Sequence, residues 1–124
     1  MKITMLGCGT SVGIPALGKI GWGKCNPKNR KNRRQRSSVL IENNGKTILV
    51  DAGPDVRNQL LKTKIDKIDA VLITHGHADH ISGLAELRPF YFTSKTKIPI
   101  YASSKTYNQL KIQFDYLFKK GENS

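Results

Sequence analysis

All three histidines of the chain, His75, His77 and His80, fall within six consecutive residues, and Asp79 stands among them. Imidazole nitrogens and carboxylate oxygens are the donors that suit zinc, and manganese or iron accept them too. A loop leaving a strand can aim alternate side chains to one side, so His75 and His77 could share one ion while Asp79 and His80 reach a second. Gly76 and Ala78 leave room for that arrangement. The bland alternative is a polar surface loop that binds nothing. Against it stands the apolar run Asp69 to Thr74 immediately before the cluster, because metal donors need a rigid, buried element behind them.

The elements that must hold this cluster can be read from pattern. Met1 to Leu6 reads as a short strand entering the glycine-rich loop Gly7 to Gly13. Ser38 to Glu42 and Thr47 to Asp51 are β-rich runs on either side of Asn43-Asn44-Gly45, and Asn-Gly between two such runs predicts an antiparallel hairpin. Pro54 is placed to open a helix over residues 55–64, with Val56, Leu60 and Leu61 on its apolar side. Asp69 to Thr74 predicts a buried strand. Gly83 to Phe92 predicts a helix, Ile98 to Tyr101 a strand, and Lys105 to Phe118 one helix with Tyr107, Leu110, Phe114 and Leu117 on one face. Residues 119–124 read as a polar, fraying tail.

The 124 residues are one domain's worth, with no internal repeat and no linker between domains. The formal net charge is +12, and residues 1–41 contain no carboxylate at all. Such a field attracts polyanions: phosphorylated small molecules, RNA and acidic lipid surfaces alike. The stretch 19–37 has no hydrophobic period and is read as an exposed basic loop without regular structure. It carries eight basic residues between Lys19 and Arg36 but only one aromatic, Trp22, a poor match to a dedicated single-strand RNA platform. No apolar run approaches the roughly 18 residues of a membrane span. Cys8 and Cys25 form no export-type pattern and read as reduced thiols, so the expected setting is the cytoplasm.

At the His-x-His-x-Asp-His segment following an apolar strand, the sequence resembles the metallo-β-lactamase-fold hydrolases. The resemblance extends to Gly7-Cys8-Gly9-Thr10-Ser11-Val12-Gly13-Ile14-Pro15, to Asn32 through Ser38, and to Asp51-Ala52-Gly53. Together these are similar to the branch containing cyclic-phosphate phosphodiesterases and, more distantly, tRNA 3′-processing endonucleases. The resemblance implies an α/β fold, the N-terminal half of an αββα sandwich: one mixed sheet with helices on one side. It implies that His75 and His77 serve one divalent ion and that Asp79 and His80 serve another, with zinc favoured and manganese or iron acceptable. Asp79 would also orient the attacking hydroxide of a two-metal hydrolysis. Asp51 matches an aspartate beneath the site, where it would orient a histidine. The competing role for Asp51 is capping the amides of Gly53 and Val56.

The departures from the pattern bear on activity. The family completes its two sites with a histidine, a bridging aspartate and a final histidine further along; here no histidine follows His80. Partial metal occupancy is therefore expected of this chain by itself. Only Cys25 stands where some relatives carry a cysteine cluster, so no structural zinc is expected. Half a sandwich would leave one sheet face, with Leu40, Leu49 and Ile73 upon it, lacking its partner. Arg33, Arg34 and Arg36 precede a strand that should approach the cluster, and their guanidinium forks suit substrate phosphates. Three readings result: a phosphodiester hydrolase domain completed by a complementary C-terminal half or by an oligomer; an inactive truncated remnant; and a basic nucleic-acid-binding module without catalysis.

Overall fold

The computed structural model describes residues 1–119, so most of the predicted tail lies outside the described residues. Five strands form one sheet in chain order: β1 (Lys2–Gly7), β2 (Ser38–Asn43), β3 (Lys46–Val50), β4 (Ala70–Leu72) and β5 (Ile100–Tyr101). The first three run antiparallel, whereas β4 and β5 join in parallel, which makes the sheet mixed. The β2–β3 hairpin turns at Asn44 and Gly45, both with positive φ (48° and 76°), the conformation for which Asn-Gly is suited.

Helices α1 (Val56–Leu61), α2 (Ala78–Ile81), α3 (Arg88–Ser94), α4 (Ser104–Gln113) and α5 (Asp115–Phe118) connect or follow the strands. The core packs Leu40, Leu49 and Val71 of the sheet against Val56, Leu60, Ile81, Leu84, Leu87 and Leu110. This corrects one expectation. Leu40, Leu49 and Ile73 are 1%, 0% and 5% exposed, so they lie under the helices rather than on an open face. The open face is the opposite one. Register places Met5, Val39, Val50, Leu72 and Tyr101 in one cross-strand row, and Ile3, Ile41, Ile48 and Ala70 in another. Met5 at 63% and Tyr101 at 58% exposure mark that face as uncovered among the described residues. Both faces of β2 and β3 are apolar, so alternation alone does not say which one the helices take.

Several boundaries also shift. The helix expected over 55–64 closes at Leu61, and Thr63 Oγ1 then donates to Leu60 O. The expected Gly83–Phe92 helix splits into a 3-10 turn (Leu84–Leu87) and α3, which ends at left-handed Lys95. The single helix expected over 105–118 breaks at Phe114 (φ −119°, ψ 41°) into α4 and α5, and Tyr107 is exposed. Ser103 caps α4 by accepting from Thr106 N. The basic stretch is more ordered than its composition suggests. It contains 3-10 turns at Gly18–Ile20 and Arg30–Asn32, and Ile14 and Arg34 exchange backbone hydrogen bonds at 2.9 and 2.8 Å.

Candidate metal centre

The histidine segment leaves the sheet at the end of β4. Ile73 N donates to Tyr101 O, which extends the parallel pairing one residue past the strand. The next residue, Thr74, is held by Asp51: Thr74 N donates to Asp51 Oδ1 at 2.8 Å and Thr74 Oγ1 donates to Oδ2 at 2.7 Å. Asp51 follows β3 with φ of 63°, a region that non-glycine residues rarely adopt, and its own amide donates to Leu72 O. It is buried, so its carboxylate needs partners in place of water. The third partner is His80 Nδ1, 2.6 Å from Oδ2. Among the described residues the Asp51 carboxylate bonds to Thr74 and His80 and not to the amides of Gly53 or Val56.

Two of the segment's four candidate donors do not sit on a loop. His77 stands at the N-cap position of α2 without a side-chain capping bond, so Asp79 and His80 lie within a helical turn. That turn packs directly on the chain after β3: Ala52 N donates to His80 O and Gly83 N to Ala52 O, both at 2.8 Å. Glycine is required at the contact, because a Cβ at Gly53 would overlap Asp79 O and one at Gly83 would overlap Gly53 O.

The donors converge. Ring centroids of His75 and His80 are 4.1 Å apart and those of His75 and His77 are 4.6 Å apart. An ionised Asp51 only accepts, so the neighbouring proton belongs on His80 Nδ1 and leaves Nε2 facing Asp79 Oδ2 at 3.0 Å. A nitrogen lone pair beside a carboxylate oxygen is a pair of donors of the kind a divalent ion takes. Thr74 Oγ1 lies 3.0 Å from His75 Nδ1. With its own proton directed to Asp51, Thr74 accepts from His75 Nδ1–H, which frees Nε2 as a donor atom. The chemistry of the set fits a divalent ion, whereas its number does not complete a centre. Among the described residues no three His, Cys, Asp or Glu side chains are grouped so as to hold an ion.

The arginines separate into different roles. Arg36 is bound to Asp55, with Nε 2.8 Å from Oδ2 and Nη2 donating to Oδ1 at 3.1 Å, while its Nη1 donates to Val12 O. Arg34 donates to Lys31 O and to Cys8 Sγ. Arg33 lies over the ring of Trp22, 5.2 Å from the centroid. Two of the three guanidinium groups thus tie the glycine-rich loop to its surroundings. Sequence reasoning gave no role to Thr74 or Asp55. The signal for Thr74 was its place between an apolar strand and a histidine; none marked Asp55.

The chain matches the family described as Beta-lactamase superfamily domain over residues 46–123. It is 38% identical over 121 residues to a Porphyromonas gingivalis protein named octanoyltransferase, covering 97% of this chain and 24% of that protein. It is 48% identical over 67 residues to ribonuclease Z of Borreliella afzelii, covering 52% of this chain and 20% of that enzyme. Among solved structures, a diphosphatase of the PhnP family superposes with a TM-score of 0.84 at 43% identity, over 94% of this chain and 46% of that one. Human tRNase Z, short form, superposes with a TM-score of 0.59 at 25% identity, over 92% and 41%. The chain spans a quarter or less of the first two relatives and less than half of the two solved chains.

Proposed function

The chain belongs to the β-lactamase superfamily, and from that premise we propose that it forms part of a metal-dependent phosphodiester hydrolase whose centre is completed by donors beyond the described residues. The observation that carries this reading is the convergence of His75, His77, Asp79 and His80 at the end of β4, braced by a buried Asp51. Likeness to a PhnP-family diphosphatase and to ribonuclease Z directs the substrate class toward phosphate esters, either a phosphorylated small molecule or RNA.

In this reading His75 and His77 would hold one ion, and Asp79 and His80 another, zinc being favoured by the donor types. Bound ions would polarise a phosphoryl oxygen and supply a hydroxide nucleophile near neutral pH. Asp51 fixes the His80 ring through Nδ1 and so directs Nε2 outward. Asp79, whose Oδ2 lies 3.0 Å from His80 Nε2, would orient that hydroxide. Arg33, with Lys19, Lys24, Lys28, Arg30 and Lys31, supplies positive charge for substrate phosphates. These six side chains are exposed and form no ion pair or hydrogen bond among the described residues.

The missing donors would come from a complementary C-terminal polypeptide or a further copy whose sheet covers the open face of Met5, Val39, Val50, Leu72 and Tyr101. The setting would be the cytoplasm, which suits the free thiols of Cys8 and Cys25; among the described residues no helix is long and apolar enough to cross a membrane. The test is co-expression with the unmatched remainder of the PhnP-family diphosphatase, followed by metal loading and assay on a cyclic phosphate and a bis-aryl phosphate. Hydrolysis above that of either part is the expected result. A rate no higher than the separate parts rejects the reading and leaves an inactive remnant.

The unpaired cations favour a second reading, a basic nucleic-acid-binding surface without catalysis. Its mark would be RNA affinity that falls steeply with salt.

A further inference from the structure

The two residues between which the candidate metal ligands alternate are not held alike. Ala78 opens a helix, whereas Gly76 sits in irregular backbone between His75 and His77. The imidazole of His77 is exposed and forms no hydrogen bond or ion pair among the described residues; its one recorded contact is the edge of the His75 ring. Something else must fix the peptide that joins the pair. Gln109, far along the chain on α4, reaches it: Nε2 donates to Gly76 O at 2.7 Å.

The contact is close on both sides. A Cβ at residue 76 would overlap Gln109 Oε1, with Cδ at 2.7 Å and Nε2 at 2.9 Å, so the amide lies directly against the glycine. The Gln109 side chain is exposed, but the backbone that carries it is held in place. Its neighbour Leu110 is fully buried, Thr106 one turn earlier is nearly so, and Ser103 caps the start of the helix. A residue one position from a buried anchor, on a capped helix of ten residues, is a fixed point relative to the sheet.

We propose that Gln109 is a positioning residue for the His75–His77 pair, clamping the Gly76 carbonyl so that the two imidazoles stay convergent. The role rests on the metal-centre reading for its purpose and on the hydrogen bond for its mechanism. Gln109 touches no reacting atom. It acts on the backbone between the two ligands and leaves the Asp51–Thr74–His80 bracing untouched.

The test uses the full 124-residue chain, as Q109M, which keeps the volume and removes the donor, and Q109E, which keeps the shape and replaces the donor with acceptors. Two measurements separate the clamp from the metal reading. In the metal-free chain, amide order parameters at Gly76 and His77 should fall in both variants while those at Thr74 and His80 and the melting temperature stay put. In a zinc titration followed by histidine ring resonances, both variants should bind the His75–His77 pair roughly 10-fold more weakly. Unchanged order parameters at Gly76 and His77 overturn the clamp whatever the zinc result. If those parameters fall yet zinc shifts neither ring in the wild type, the clamp stands and the metal-centre reading fails. Equal zinc affinity in wild type and variants, with binding present, overturns the positioning role.

Discussion

Asp51 Oδ2 lies 2.6 Å from His80 Nδ1, a contact that spans 29 residues of sequence and links the end of β3 to the helical turn carrying Asp79. The same carboxylate accepts from the backbone and hydroxyl of Thr74. One buried aspartate therefore sets where the histidine segment begins and which way its last imidazole faces.

Replacing Asp51 should damage both stability and metal binding. D51A leaves Thr74 N and His80 Nδ1, neither of them fully buried, without their acceptor, at a cost of about 0.5–1.5 kcal/mol for each hydrogen bond lost. Urea unfolding of D51A should show a lowered midpoint. D51N keeps the size but offers one acceptor oxygen in place of two, and zinc competition should give affinity 10-fold or more below wild type. Wild-type zinc affinity in D51N would remove Asp51 from the site.

Metal held by this chain alone should be weak. Four candidate donors divided between two ions leave each short of the usual tetrahedral set. Zinc added to the purified chain should be withdrawn by a mild chelator, and H80A should lose one class of sites while H75A loses the other. Tight stoichiometric zinc that survives chelation would contradict this account.

G53A should perturb the site from behind. Its Cβ would overlap the carbonyl of Asp79, so α2 must shift or the loop must strain, at about 1–3 kcal/mol. The histidine ring resonances of G53A should move even though no donor has been changed. Wild-type resonances with an undiminished melting temperature would show that the turn yields freely.

Asp69 provides a pH signature remote from the metal candidates. Lys67 Nζ at 2.8 Å and Thr47 N at 2.7 Å hold its carboxyl below the ordinary carboxylate value of 3.8. A depressed folded-state value means that the ionised form stabilises the fold. This contribution is complete only about two pH units above 3.8, where the unfolded carboxyl is fully charged, and it is lost as pH falls through the folded value. The stability gap between wild type and D69N should therefore be constant near neutrality and close below pH 4. A gap that widens on acidification would reverse the assignment.

Residue order alone dictates the hairpin at Asn44-Gly45, the apolar run of β4 and the clustering of every imidazole directly after it, because these depend on contacts between neighbours in sequence. The likeness to a known fold was legible for the same reason: its motif is contiguous. What only the tertiary structure decides is long-range. The face of the sheet that the helices cover, the capture of Arg36 by Asp55, and the meeting of Asp51 with His80 and of Gln109 with Gly76 all join residues distant in sequence. Composition marks a guanidinium as suited to phosphate but cannot show that a carboxylate 19 residues away already holds it. Packing settles such pairings, since each buried polar group takes the partner that the folded chain brings within reach.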